Sequence, residues 1–187
     1  MKLFSLLFLL LIFQGGFAPL IADYTPPAAA DKLVNSMTDR LKVSCYVAWA
    51  KFQNHSKIND PLREAAVLSS LQTQASKIGL PASTVAWVFK PQFMASKRVQ
   101  QELFDGWRAG RPMPISSPKD LQKDIRPVLD KISHDMLVEL KDIQPQSFTL
   151  ELKRYAVGEI HAHGFSWKVA RIAAAPLGKN NPETVVH

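Results

Sequence analysis

Residues 38–64, TDRLKVSCYVAWAKFQNHSKINDPLRE, decide the fold because they predict the end of a long helix, a short loop and the start of a second helix. In the first helix Arg40 and Lys51 lie eleven residues apart, which at 100° per residue is three turns plus about 20°. Both side chains therefore point the same way, roughly 16 Å apart along the axis. They border an apolar stripe formed by Leu33, Met37, Leu41, Cys45, Ala48 and Phe52.

The start of the second helix carries a third cation. Asp60 is a good N-cap residue, and Pro61 suits the first helical position. Arg63 then falls in the first turn, where backbone N–H groups and the helix dipole already favour anions. The whole stretch predicts a site for a small anion.

Composition limits the classes of function. The chain has 187 residues and a 47% apolar fraction, which is enough for one domain or two closely packed helical halves. The net charge is +7, but the lysines and arginines are scattered and form no run typical of a nucleic-acid surface. We therefore expect a small polyanionic partner rather than nucleic acid. The single cysteine, Cys45, is interpreted as a buried small hydrophobe.

The N-terminus predicts export. Lys2 precedes an apolar segment, residues 3–13, which is too short to span a membrane as a helix. We interpret residues 1–22 as a signal peptide cleaved after Ala22, with an uncleaved anchor as the alternative. The mature chain would then be periplasmic or secreted and free of the membrane.

The remainder has helical periodicity, which predicts an all-α fold of about six helices in a single chain. Pro91 should kink the third helix, Leu62 should face inward from the second, and the tail from Pro176 should be frayed. We divide the mature chain into a core, residues 23–107, and a second helical half, residues 108–187. The predicted helices cover residues 30–55, 61–78 and 82–104, a helix capped by Ser117 with Pro118 and Asp120 in its first turn and ended by Pro145, and residues 147–161 and 165–175.

The order and spacing of Arg40, Lys51, Asp60, Arg63 and Glu64 resemble those of the all-helical chorismate mutases. The resemblance covers residues 33–107 and is closest to the exported, monofunctional gamma-type branch. It implies the multi-helix type II fold, with a site enclosed within one chain. It also implies a Claisen rearrangement of chorismate to prephenate. This reaction needs no nucleophile, metal or cofactor, only a folded substrate conformer and stabilised charge on its ether oxygen.

The resemblance also implies roles for individual residues. Lys51 and Gln100 would donate to the ether oxygen, and Arg40 would be the third catalytic residue through a substrate carboxylate. Because Gln100 donates without being protonated, activity should not require acid pH. The implied substrate-binding residues are Arg63, Arg126 (from the second half of the chain), Asp60, Glu64 and Ser96.

Alternatives remain open from the sequence. A secreted helical module that binds a small anion or a protein could have kept the fold without turnover. A homodimer is also compatible with the sequence. His161 and His163 lack a third ligand nearby, so we predict no metal site.

Overall fold

The described residues are all helical or irregular, as predicted. A computed structural model describes residues 24–114, 119–143 and 147–178, and it contains no strand within these ranges. Six α-helices, one π-helical turn and one 3₁₀ turn follow in order. They are α1 Ala28–Gln53, α2 Pro61–Lys77, α3 Ala82–Arg108, the π turn Leu121–Ile125, α4 Arg126–Ile143, α5 Leu150–Ala162, α6 Trp167–Ala173 and the 3₁₀ turn Ala175–Gly178.

Helix α1 is the centre of the molecule because it packs against both α3 and α4. Its predicted stripe is buried at Leu33, Met37, Leu41 and Ala48, while Cys45 and Phe52 are half-buried. The same apolar core continues through α3 and into Met136, Leu137 and Leu140 of α4 and Phe148 beyond it. One core therefore holds the N-terminal and C-terminal helices together.

Helix α2 starts as predicted, but its inward face was placed wrongly. Oδ1 of Asp60 accepts a hydrogen bond from the backbone N–H of Arg63 at 3.1 Å, and Pro61 occupies the first turn. Leu62, however, is 84% exposed. The first two turns of α2 border a cavity instead of the core, so Arg63, Glu64 and Val67 face inward there. Val67 and Leu68 are half-buried, and the first fully buried apolar residue is Leu71.

Helix α3 runs from Ala82 to Arg108 without a break at Pro91, and the kink there stays a prediction. Its end lies four residues beyond the predicted one. Gly110, at φ +88°, supplies the left-handed residue that ends the helix, and the N–H of Arg111 bonds back to the carbonyl of Gly106 at 2.9 Å.

Helix α4 starts later than predicted. Ser117 and Pro118 lie outside the described residues, but Asp120, expected in the first turn, is non-helical and is itself the cap. Its Oδ1 accepts from the N–H groups of Gln122 and Lys123 at 2.8 and 2.7 Å. A π turn follows, closed by a bond from the N–H of Arg126 to the carbonyl of Leu121.

Residues 176–178 are packed, contrary to the predicted fraying from Pro176, while the rest of the tail, residues 179–187, lies outside the described residues. Pro176 and Leu177 are buried within the 3₁₀ turn, because Leu177 joins the main core. The predicted signal peptide lies outside the described residues. Within those residues, no helix is both long enough and apolar enough to cross a membrane.

Candidate active site

A cavity of about 110 Å³ lies between α1, α2, α3 and the start of α4. We call it the site cavity. All eight residues singled out from the sequence line it, although they come from four elements and from positions 40 to 126. They are Arg40, Lys51, Asp60, Arg63, Glu64, Ser96, Gln100 and Arg126.

Arg40 is a buried cation with neutral partners. Only 5% of the residue is exposed, and its guanidinium lies 5.0 Å from the centre of the Phe93 ring. Nε donates to Oγ of Ser133 and Nη1 to Oγ of Ser96, both at 3.3 Å. Nη2 has no hydrogen-bond partner among the described residues. Burial lowers the pKa of Arg40 to about 10, so the group stays charged at neutral pH. A buried charge held only by hydroxyls favours an anionic ligand.

Lys51 reaches the site cavity from the last turn of α1. It is 9% exposed, and Nζ donates to the carbonyl of Ile58 at 2.7 Å, which fixes the ammonium against the loop before α2. Burial lowers the pKa of Lys51, and the positive charge of Arg126 lowers it further, while Asp60 opposes both effects. The ammonium has three hydrogens, so two remain for a ligand.

Ser96 and Gln100 lie one turn apart on the inner face of α3. Oγ of Ser96 accepts from Nη1 of Arg40 and lies 2.8 Å from Oγ of Ser44, which itself lies 3.0 Å from the carbonyl oxygen of Arg40. Nε2 of Gln100 donates one hydrogen to the carbonyl of Ser96 at 3.2 Å. Its second amide hydrogen is left to donate, and its buried Oε1 has no partner among the described residues.

The remaining predicted residues form ion pairs at the edge of the site cavity. Arg63 contacts Asp130 at 3.1 Å, and Nη2 of Arg126 lies 3.8 Å from Oδ2 of Asp60. Glu64 pairs with Lys97, its Oε1 lying 3.0 Å from Nζ. The π turn places Leu121 beside Arg126 in the lining, although an α-helix would put residues five apart about 140° from each other.

Four polar lining residues were missed from the sequence, namely Ser44, Lys97, Asp130 and Ser133. Asp130 and Ser133 follow Arg126 at i+4 and i+7, so helical spacing from Arg126 could have found them. Lys97 directly follows Ser96, and Ser44 follows Arg40 by four residues, between the two cations of α1. Singly, each of these residues resembles an ordinary surface or helix residue.

The lining is suited to a doubly charged anion. It contains five cationic side chains and three carboxylates, which leaves a net charge of two positive. Elsewhere, the described residues contain no group of three or more potential metal ligands. Nδ1 of His161 lies 2.8 Å from the carbonyl of Phe165, and the ring stacks on Trp167, so this histidine has a structural role.

Comparison with known proteins identifies the family of this chain. The family model for chorismate mutase type II matches residues 29–101. A protein named secreted chorismate mutase from Mycolicibacterium smegmatis is 30% identical over 122 residues, which cover 62% of this chain and 67% of that protein. One of the same name from Yersinia pestis is 30% identical over 112 residues, 58% of this chain and 60% of that protein.

A solved structure matches a larger share of this chain than these two relatives do. The crystal structure of a chorismate mutase from Burkholderia phymatum superposes with a TM-score of 0.72 at 30% sequence identity, covering 82% of this chain and 99% of that one. The similarity thus extends through both helical halves and confirms the predicted fold and family resemblance. This chain belongs to the all-helical, type II family of chorismate mutases.

Proposed function

We propose that this chain is an exported chorismate mutase that converts chorismate to prephenate in the site cavity. The observation that carries the proposal is the convergence of five cations and three carboxylates on one cavity, with a net charge matching a dianionic substrate. Export is supported by the relatives named secreted and by the apolar segment near the N-terminus.

The arginines hold the substrate in a reactive conformer. Chorismate carries two carboxylates, one on the ring and one on the enolpyruvyl side chain. Arg40 offers its free Nη2 to one of them, while Arg63 and Arg126 approach from α2 and α4. Fixing both carboxylates folds the side chain over the ring, which brings the bond-forming carbons together at little further entropic cost.

Lys51 and Gln100 stabilise the transition state. Negative charge develops on the ether oxygen as its carbon–oxygen bond breaks. The remaining hydrogens of the Lys51 ammonium and of the Gln100 amide donate to that oxygen. Each group already donates a hydrogen bond to a backbone carbonyl, which keeps it in position. Little reorganisation is therefore needed when negative charge develops on the ether oxygen.

Three further residues complete the arrangement. Glu64, held by Lys97, accepts a hydrogen bond from the substrate hydroxyl. Ser96 holds Nη1 of Arg40 beside a substrate carboxylate, and Asp60 restrains Arg126 next to the substrate. Every step of this mechanism is binding or charge stabilisation, because the rearrangement is intramolecular and moves no proton between enzyme and substrate.

The first test is loss of chorismate absorbance on adding the purified mature chain, starting at Asp23, beside the Lys51→Ala variant. We expect rapid loss with the wild type and almost none with the variant. A folded, helical wild type without turnover would contradict the proposal. If chorismate or prephenate then raised its melting temperature, the protein would be a binding module instead.

A further inference from the structure

Helix α4 turns one face to the site cavity. Arg126, Asp130 and Ser133 lie at i, i+4 and i+7, within about 60° of one another around the helix. Each contacts a polar residue of the first half of the chain, since Arg126 meets Asp60, Asp130 meets Arg63, and Ser133 meets Arg40. The contribution of α4 to the site therefore extends beyond Arg126.

Ser133 is built as a hydrogen-bond acceptor for Arg40. Its side chain is buried, at 1% exposure, and its hydroxyl donates to the carbonyl of Leu129 at 2.7 Å, one turn back in α4. That bond uses the only hydrogen of the hydroxyl and turns its lone pairs away from the helix. Nε of Arg40 then donates to the oxygen at 3.3 Å.

The guanidinium of Arg40 is thus fixed at two points on opposite helices. Ser133 on α4 holds Nε, Ser96 on α3 holds Nη1, and Nη2 is left for a ligand. Both holding groups are neutral. They orient the guanidinium without neutralising it, whereas a carboxylate in either place would compete with the substrate.

We propose that Ser133 is a positioning residue that aims Arg40 at a substrate carboxylate, so that the second half of the chain sets the geometry of a first-half site residue. This inference rests on the proposed function. The proposed role of Ser133 is separate from that of Arg126, the arginine that α4 itself contributes to the site cavity.

The test compares Ser133→Ala with Ser133→Thr, which keeps the hydroxyl. We expect the alanine variant to lose about tenfold to a hundredfold in kcat/KM, the usual range for a hydrogen bond to a charged group. The loss should fall mainly on KM, because a carboxylate contact exists both before and in the transition state. The threonine variant should retain most of the wild-type KM.

Ser36→Ala is the matched control. Ser36 also joins α1 to α4, donating to Oε1 of Glu139 at 2.9 Å, but it does not line the site cavity. This variant should keep the wild-type KM. If the alanine variant of Ser133 does not fold, Ser133→Cys, which is similar in size but a poor acceptor, takes its place in the comparison.

A double-mutant cycle shows whether Ser133 acts through Arg40. Arg40→Lys keeps the charge but removes Nε, so adding Ser133→Ala to it should change kcat/KM by less than twofold. Full additivity of the two changes would overturn the inference, and so would equal KM increases for the alanine and threonine variants. Absence of turnover in the wild type would instead contradict the proposed function, while turnover that is indifferent to Ser133→Ala would contradict only the role of Ser133.

Discussion

Lys51 and Gln100 approach the site cavity from different helices, and each retains a hydrogen that no described residue accepts. Replacing either by alanine removes one donor to the ether oxygen. We expect kcat to fall several hundred-fold, about 3–4 kcal/mol of transition-state stabilisation. Single-turnover and steady-state measurements of chorismate loss would show the effect.

Lys42→Ala is a suitable control, since Lys42 lies on the exposed side of α1 and pairs only with Asp39. Its kcat should match the wild type. Circular dichroism should show unchanged helix content in all three variants. A Lys51→Ala enzyme with more than a tenth of the wild-type kcat would exclude the proposed donor role.

The pH dependence of kcat follows from the chemistry of the same two donors. Burial lowers the pKa of Lys51, and only the protonated ammonium can donate its charge to the ether oxygen. Activity should therefore be constant through neutral pH and fall as pH rises through a pKa below the usual lysine range. Gln100 does not titrate, so no acidic optimum is expected.

The Gln100→Glu variant tests whether activity depends on a hydrogen bond donated by residue 100. A glutamate must be protonated to donate, so the variant should be active mainly at acid pH and lose activity as its carboxyl ionises. The readout is a kcat profile for both proteins over the range in which they stay folded. An identical profile for wild type and variant would show that residue 100 does not donate.

From the sequence we could predict which polar residues lie together at the site cavity, but not which other residues they contact. The eleven-residue spacing of Arg40 and Lys51 and the cap at Asp60 were enough to place three cations at one cavity. Ser133 was not foreseen because its role depends on a helix 93 residues away from Arg40. Short-range spacing carries no information about that contact.

At the scale of elements, α2 and α4 meet at the ion pair between Arg63 and Asp130. Both side chains are partly exposed, so the pair contributes little to stability. Asp130 does, however, compete with a substrate carboxylate for Arg63. We expect Asp130→Asn to lower the KM for chorismate by about twofold to fivefold, with kcat nearly unchanged.

The matched control is Asp135→Asn, which breaks the pair of Asp135 with Lys131 on the same helix, at 2.7 Å. That pair does not line the site cavity, so KM should stay at the wild-type value. Thermal melting should shift little for either variant. A higher KM for Asp130→Asn would mean that Asp130 orients Arg63 instead of competing for it.

The end of a helix was predictable where only one nearby residue suits each capping position. Asp60 with Pro61 marked the start of α2 correctly, because a cap and an N1 proline satisfy local needs. The predicted start of α4 and the predicted end of α3 were wrong. Asp120, expected within the first turn, is the N-cap residue of the π turn before α4, and α3 continues to Arg108, with Gly110 at positive φ after it.

At the scale of the whole molecule, α1 is shared between the two predicted halves, since it packs on α3 and on α4. A fragment of residues 23–107 would expose the apolar surface of α1 that α4 covers. We expect this fragment to lack a sharp thermal transition and to show no chorismate mutase activity, whereas residues 23–187 should unfold in a single step.

Calorimetry of the two chains, with far-ultraviolet and near-ultraviolet circular dichroism, would check this prediction. Coincident transitions for residues 23–187 are expected because one core contains residues of every α-helix. A fragment that melts cooperatively and turns over chorismate would show that the second half is an independent accessory domain.

The global fold was predictable because helical periodicity persists through most of the chain. Leu62 and the tail show where this reasoning fails. Periodicity gave α2 an apolar stripe, but a cavity at its first two turns shifted the inward face. Pro176 suggested an end to order, yet Leu177 fills a place in the core. The local sequence does not show where a cavity will lie or which side chain will complete the core.

The π turn Leu121–Ile125 contains one residue more than a turn of α-helix would in the same place. A π turn is the form a helix takes when it accommodates one additional residue, and here it brings Leu121 to the cavity beside Arg126. Deleting one residue from this turn would let it close as an α-turn, leaving Arg126 in place and carrying Leu121 away. We therefore expect deletion of one residue from this turn to change which side chain lies beside Arg126 in the site cavity, and so to change substrate fit although the charged residues stay the same.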